Sequence, residues 1–584
     1  MSSFIFVKGF VSSLLLAGLA SAIPVEENIQ PRHGNCNTPH DRACWRDGFN
    51  IETDYESSTP VGTLRHYDWE VTEVENWIGP DGVEKNYVQL VNGQYPGPTL
   101  FADWGDTISV TITNSLPHNG TSFHWHGIRQ FHSNLHDGVN GVTECPIPPK
   151  ASKTYTFKAE QYGTSWYHSH TSAQYANGVW GPIQIEGPAS CNYDIDLGVF
   201  PISDYYYDNA DELVVATSVG APPKSDNVLF NGTNINPVDP SQGEYAVVNL
   251  TPGKTHRLRV INPSAENNFQ ISLVGHNFTV IATDFVPVKS APVDNIFLAV
   301  GQRYDLIIDA DQDIDNYWFN VTMFPLTSLC GTSWNLSPAA IFRYDGAPDE
   351  LPTIEGDLPE DAHCQDSLEF VPVVPRKADE TTLLVDAGNP EHQINVNLTF
   401  GTSLTHPTVW KINESAINVN WDRPVLQYVL ENDTDYPRTE NLIFNNDEDT
   451  WTYWVVQNLG LLPHPMHLHG HDFLVVGSAA ATNFTSDLSS TLNYDNPTRR
   501  DVTMLPGNGY LVLAFKADNP GNWLFHCHIA WHVSGGLSSD FMERRDEQVA
   551  LISDQDLKAY KDNCDAWNIF SKTAPPKIDS GLRI

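Results

Sequence analysis

Hydrophobic and polar positions alternate with a period of two along much of the chain. Examples are Thr107–Thr113 (TISVTIT), Thr154–Lys158, His256–Ile261, Phe278–Ala282, Tyr304–Ile308, Trp451–Gln457, Phe473–Val476 and Tyr510–Phe515. These runs are rich in Val, Ile, Thr and aromatics and end at Gly, Pro, Asn or Asp, which predicts β-strands. Helical periodicity is confined to short pieces such as Asp554–Cys564. Many short strands with few helices predict an all-β chain of sandwiches. The pattern breaks at Gly346–Glu380, a Pro- and acid-rich stretch suited to an interdomain linker. A softer boundary falls near Gly187-Pro188. Three sandwiches are therefore expected, over 36–187, 188–347 and 375–560, with a linker over 348–374 and a tail over 561–584.

Composition narrows the function classes. Asp and Glu number 72 against 32 Lys and Arg, a net charge of −40 over 584 residues. That balance repels nucleic acid and anionic membrane surfaces. Residues 1–22 read as a secretory signal: Lys8, the short apolar run Val11–Ala20, and Ala20-Ser21-Ala22 as the cleavage site. Residues 23–35 follow as a propeptide or N-terminal tail. No later stretch has the roughly 18 uninterrupted apolar residues of a membrane span. The expectation is a secreted, extracellular protein, and its ten Asn-x-Ser/Thr sites, from Asn119 to Asn483, predict a sugar coat.

Eight cysteines stand in an oxidising setting. Sequence leaves their pairing open, with Cys36–Cys44 the most local candidate. Cys527 differs from the rest in its neighbours. It sits in His526-Cys527-His528-Ile529-Ala530-Trp531-His532, one of four histidine-rich motifs. The others are His124-Trp125-His126, His168-Ser169-His170, and His464-Pro465-Met466-His467-Leu468-His469. A lone His-x-His pair is weak evidence. Several such pairs in strand-like surroundings are not explained as core histidines.

The spacing has a physical meaning. On a strand, residues i and i+2 face the same side, roughly 6.6–6.8 Å apart. Two imidazoles so placed suit two neighbouring ions better than one. His526 and His528 face one side, and Cys527 faces the other toward a separate metal. The backbone of Cys527 then links two metal sites. A thiolate with two imidazoles, here Cys527, His464 and His532, is the blue-copper set. Zinc also accepts Cys and His, but the C-x-x-C clip of structural zinc sites is missing. A single-electron site wired to a multi-metal site points to dioxygen as the electron acceptor.

Through these motifs the chain resembles the multicopper oxidases, and among them the ascomycete-type fungal laccases. The likeness runs through CNTPHDRACWRDGF at 36–49, NGQYPGPTL at 92–100, HDGVNGVTECPIPP at 136–149, HPMHLHGHDFLVVG at 464–477, LFHCHIAWHVSGGL at 524–537 and Asp579-Ser580-Gly581-Leu582. It implies three cupredoxin-like Greek-key β-sandwich domains and four copper ions. By resemblance, His464, Cys527 and His532 hold type 1 copper, and His124 and His467 hold type 2. His126, His168 and His528 hold one type 3 copper, and His170, His469 and His526 hold the other. Leu537 takes the axial position, where a Met is usual in ascorbate oxidases, and favours a laccase.

The resemblance also implies that Glu266 accepts the phenolic proton, that His532 is the electron entry point, and that Asp137 helps deliver protons to oxygen. It implies disulfides Cys36–Cys44, Cys145–Cys564 and Cys330–Cys364, with Cys191 left over. Processing after Leu582 would let the new C-terminus plug a solvent channel. The expected activity is one-electron oxidation of phenolic or aromatic donors with reduction of dioxygen to water. The alternatives are an oxidase with a narrower donor, a ferroxidase, or a non-catalytic copper or electron carrier. Expected partners are small phenols and dioxygen, with no nucleic acid or membrane, acting as a monomer or dimer.

Overall fold

The structure is a computed structural model that describes residues 36–46, 48–325, 327, 329–386, 393–446 and 451–574. The signal and propeptide segments and the closing Asp579–Leu582 lie outside the described residues.

All eight runs singled out by alternation are strands. Thr107–Asn114 shows the cause most plainly: buried and half-buried positions alternate along its whole length. Period-two burial lets one face pack on a core while the other meets solvent. The first third of the chain builds two four-stranded sheets. One orders Glu84–Val91, Leu64–Ile78, Thr107–Asn114 and Ser152–Lys158. The other orders Leu100–Asp103, Trp180–Glu186, Gly163–His168 and His124–Trp125. The middle and last thirds each contribute a six-stranded and a five-stranded sheet. The result is three two-sheet sandwiches in one chain.

Each sandwich has its own apolar core. Trp454 shows how the last is filled: it is fully buried, with the rings of Phe515, Phe525 and Phe541 edge-on at 4.9–5.0 Å. Edge-to-face packing of this kind adds about 0.5–1.5 kcal/mol per pair beyond area burial.

The connecting segment after residue 347 has little regular structure but is tied down. Asp366 accepts from Gln302 of the middle sandwich and from Thr503 and Met504 of the last. The expected tail from 561 is different. Residues 561–570 are the second half of a 17-residue helix, Asp554–Phe570. Ser553 caps it by accepting from the Asp556 N–H. Tyr560, Cys564 and Trp567 recur at helical spacing and bury one face against Val142, Ile417 and Trp421. The helical periodicity expected at Asp554–Cys564 thus continues to Phe570, on partners that lie more than a hundred residues away in sequence.

Three disulfides are present, Cys36–Cys44, Cys145–Cys564 and Cys330–Cys364. Cys191 and Cys527 are free thiols. No helix among the described residues is long and apolar enough to cross a membrane.

Candidate metal centre

Strand register brings the histidine motifs together. His124 lies opposite His168 where His124–Trp125 pairs with Gly163–His168. His467 lies opposite His526, and Met466 opposite Cys527, where His464–Leu468 pairs with Gly521–Cys527. Side-chain alternation then sends His467 and His526 to one face and Met466 and Cys527 to the other. The first face meets the first sandwich. The second is sealed in the core of the last, where Cys527 shares a cluster with Leu537 and Phe525.

On the sulfur side, Cys527 Sγ lies 3.6 Å from His464 Nδ1 and 3.5 Å from His532 Nδ1, and the two nitrogens are 3.1 Å apart. Three ligand atoms roughly 2.0–2.3 Å from one ion, trigonally spread, form a triangle of about this size. Burial pushes the Cys527 thiol up and His464 down to about 3. A cation reverses the first effect, because a coordinated thiol deprotonates. Leu537 is fully buried and offers no donor atom. The Trp410 ring packs on His532 with centroids 4.2 Å apart.

On the other face eight imidazoles converge. His170 has ring centroids 5.3 Å from His469 and 5.4 Å from His526. His528 lies 4.9 Å from His126 and 5.4 Å from His168. His124 and His467 are 5.9 Å apart. Donor atoms of His124, His126 and His168, of His124, His467 and His469, and of His170, His469 and His526 each lie within 4.8 Å of one another.

The donor chemistry fits a set of cations. His469 Nδ1 lies 2.9 Å from Asp137 Oδ2, and His526 Nδ1 lies 2.8 Å from the Cys527 carbonyl. Those acceptors place the ring protons on Nδ1 and leave Nε2 bare. The two Nε2 atoms then face each other at 3.1 Å. Two lone pairs at that distance repel unless a positive ion lies between them. His124, His168 and His467 likewise keep Nδ1 on an oxygen and have a buried Nε2 with no partner. Burial first, and neighbouring imidazoles second, hold His467, His469, His528 and His126 well below the usual histidine range. Neutral imidazoles are the form that ligates metal.

Two carboxylates orient the cluster. Asp137 is fully buried and lies between the Nδ1 atoms of His469 and His124, the latter 3.2 Å from its Oδ1. Burial raises its pKa, and His124 works against that. Asp501 was not singled out by sequence. Its carbonyl lies 2.8 Å from His467 Nδ1, and its Oδ1 lies 3.3 Å from His126 Nε2. His126 therefore presents Nδ1 to the cluster, opposite to the other rings, and that atom lies 3.2 Å from His528 Nε2. Arg303 grips Asp501 with both guanidinium arms at 2.5 and 2.7 Å. Asp284 accepts from Arg500 and from the Arg303 backbone N–H. The middle sandwich, which offers no cluster histidine, thus reaches the cluster through ions. Nothing local marks these residues, because Arg303 and Asp501 are far apart in sequence.

A cavity of about 660 Å³ opens beside His532, between the middle and last thirds. Trp410, Trp531, Phe400, Leu398 and Val214 are among its walls. Among the described residues, none of its lining side chains is Asp, Glu, Lys or Arg. Glu266 stands behind that wall: its Oε2 accepts from Trp531 Nε1 at 3.0 Å. Burial, then nearby Asp204, pushes Glu266 up to about 8. Asp204 holds the loop by accepting the backbone N–H groups of Ala265, Glu266 and Asn267. A second cavity, of about 60 Å³, touches cluster residue His170 with Asn140, Ser534 and Ser538. His471, His132 and His136 take no part in either centre. His471 bonds Glu543, His132 stacks on Phe131, and His136 accepts from the Thr156 N–H.

Comparison with known proteins places this arrangement. Family models described as multicopper oxidase match residues 70–190, 196–347 and 401–547. The chain is 56% identical over 574 residues to Laccase-1 of Melanocarpus albomyces, covering 95% of this chain and 91% of that one. It is 53% identical to a laccase of Neurospora crassa, covering 94% and 89%. The crystal structure of a laccase from Botrytis aclada superposes with a TM-score of 0.84 at 37% identity, covering 94% of this chain and 99% of that one.

Proposed function

The chain belongs to the multicopper oxidase family as a laccase-type copper oxidoreductase, and on that premise we propose that its donor side chains hold four copper ions in two centres. His464, Cys527 and His532 hold the type 1 ion. His124 and His467 hold type 2. His126, His168 and His528 hold one type 3 ion, and His170, His469 and His526 the other. The observation that carries this division is the strand Gly521–Cys527 with its continuation to His528, which presents sulfur to one centre and imidazoles to the other.

When bound, copper supplies one-electron oxidation at the sulfur centre and four-electron reduction of dioxygen at the cluster. The protein supplies the rest. A phenol in the cavity gives one electron through the His532 edge and releases one proton. Four such donors with one dioxygen yield four phenoxyl radicals and two waters. The Cys527 backbone joins the centres through His526 and His528 by covalent bonds. Asp137 fixes the tautomers of two cluster imidazoles and hands protons to oxygen. All donors come from one chain, so a monomer is a complete enzyme. The expected signal, sugar coat and secretion belong to the same reading.

Oxygen uptake by copper-loaded protein with a simple phenol tests the oxidase reading. Absence of uptake favours the carrier alternative. The uncharged cavity walls speak against a ferroxidase, because ferrous iron would find no carboxylate there. Phenols should outpace ferrous iron.

Asp137→Asn keeps the shape but weakens the hold on the His469 and His124 Nδ1 protons. Oxygen reduction should fall roughly 10–100-fold, with copper lost from the cluster and the blue colour retained. Metal analysis beside oxygen-uptake rates checks this.

Glu266 has a pH signature. The folded carboxyl keeps its proton to about 8, whereas its unfolded counterpart loses it near 4.5. Between those values the folded state binds more protons, so rising pH costs stability, by at most ~1.4 kcal/mol per pH unit. Glu266→Gln removes that term. Its unfolding midpoint should gain on the parent's from pH 4.5 to 8 and level off beyond. As a proton acceptor Glu266 works only when ionised, so the variant should also lose the rise in phenol kcat/KM toward pH 8.

A further inference from the structure

Resting on the oxidase reading, we propose that the cavity beside His532 is built for uncharged phenols that carry a second aromatic ring or an apolar group of similar size. The volume is the first argument. About 660 Å³ lies well inside the range of roughly 300–1,000 Å³ typical of sites that enclose drug-sized ligands. A single-ring phenol at the His532 edge leaves most of that space to water. The walls are the second argument. They include Trp410, packed on His532, with Leu398 and Val409, and the exposed Phe400 and Val219. Phe400 is 80% exposed and Val219 44% exposed, a wet apolar surface that a second ring would cover.

Charge is the third argument. No ionic side chain lines the cavity among the described residues, so a carboxylate or ammonium group entering it would lose hydration without gaining a partner. The chain's net charge of −40 adds long-range repulsion for anionic donors. The chemistry at the reacting ring is unchanged: the phenol loses one electron to His532 and one proton, and the second ring only binds.

The test is a donor series built on 2-methoxyphenol with a 4-methyl, 4-benzyl, 4-(2-carboxyethyl) or 4-(2-aminoethyl) group, assayed by oxygen uptake with the copper-loaded full chain. The benzyl donor should have a KM at least about tenfold below the methyl donor, with similar kcat, as burial of a ring in an apolar site predicts. The carboxyethyl and aminoethyl donors should both have a KM above that of the methyl donor. In Phe400→Ser the benzyl advantage should shrink severalfold, while the blue absorption reports an intact sulfur centre. A KM flat across the wild-type series, or a charged donor as good as the benzyl one, overturns the proposal, whatever the variant's yield. No uptake even with the methyl donor would instead overturn the oxidase reading itself.

Discussion

Cys527→Ser should abolish the blue absorption and phenol turnover of the protein together, with one copper ion lost per chain and the fold retained. The physical ground is the sulfur triangle. Cys527 Sγ lies 3.6 Å from His464 Nδ1 and 3.5 Å from His532 Nδ1, and the three residues form one buried donor group. A serine oxygen is smaller and harder, does not ionise there, and cannot provide the polarisable thiolate of a blue site. The same residue carries the covalent link between centres, so electrons from phenol would stop at the pocket. The substitution is nearly isosteric in a fully buried position, so the unfolding temperature of the metal-free protein should change little. Retained blue absorption would mean that another residue is the thiolate.

Arg303→Met should be the most damaging change outside the metal donors. Arg303 is fully buried, joins Asp501 bidentately, and sits 3.5 Å from Asp284. Removing it strands Asp501, which has essentially no solvent contact, while Asp284 keeps Arg500 as its partner. Breaking a buried pair in this way costs about 3–5 kcal/mol. Asp501 would then be free to turn from His126 and His467, and the cluster should bind copper poorly. The expected result is a lower unfolding midpoint in metal-free protein and substoichiometric copper after loading. Arg303→Lys should recover only part of both, since a point charge cannot replace the guanidinium fork. Adding Asp501→Asn to Arg303→Met should restore stability more than copper binding. Unchanged metal-free stability in the Met variant would show that the ion network is ornamental.

The fold was readable because period-two burial leaves a local trace, as in Thr107–Asn114. The histidine pairs announced a metal centre for the same reason: strand geometry turns a two-residue spacing into a shared face. Which face meets which ion depends on register, and His467 opposite His526 is not written in either segment alone. Arg303, Asp284 and Asp501 were invisible because a buried ion network has no sequence period. Residues 561–570 were misjudged as a tail because the helix buries only a narrow stripe, against partners from 142 to 421. Glu266 was assigned as an acceptor, but its environment holds it neutral across acidic pH. That follows from burial and Asp204, and no motif states it.

The Cys145–Cys564 bridge has a temporal consequence. Its partners are 419 residues apart. At roughly 5–20 residues per second, the ribosome needs roughly 20–80 s to make the second thiol after the first. Cys145 must wait out that interval reduced, with Cys36 and Cys44 made before it and Cys191, Cys330, Cys364 and Cys527 made during it as wrong suitors. The cluster is likewise split, with half its imidazoles born early and half late. Neither covalent closure nor copper loading can be completed before the last third of the chain has been made, so both wait on segments hundreds of residues downstream.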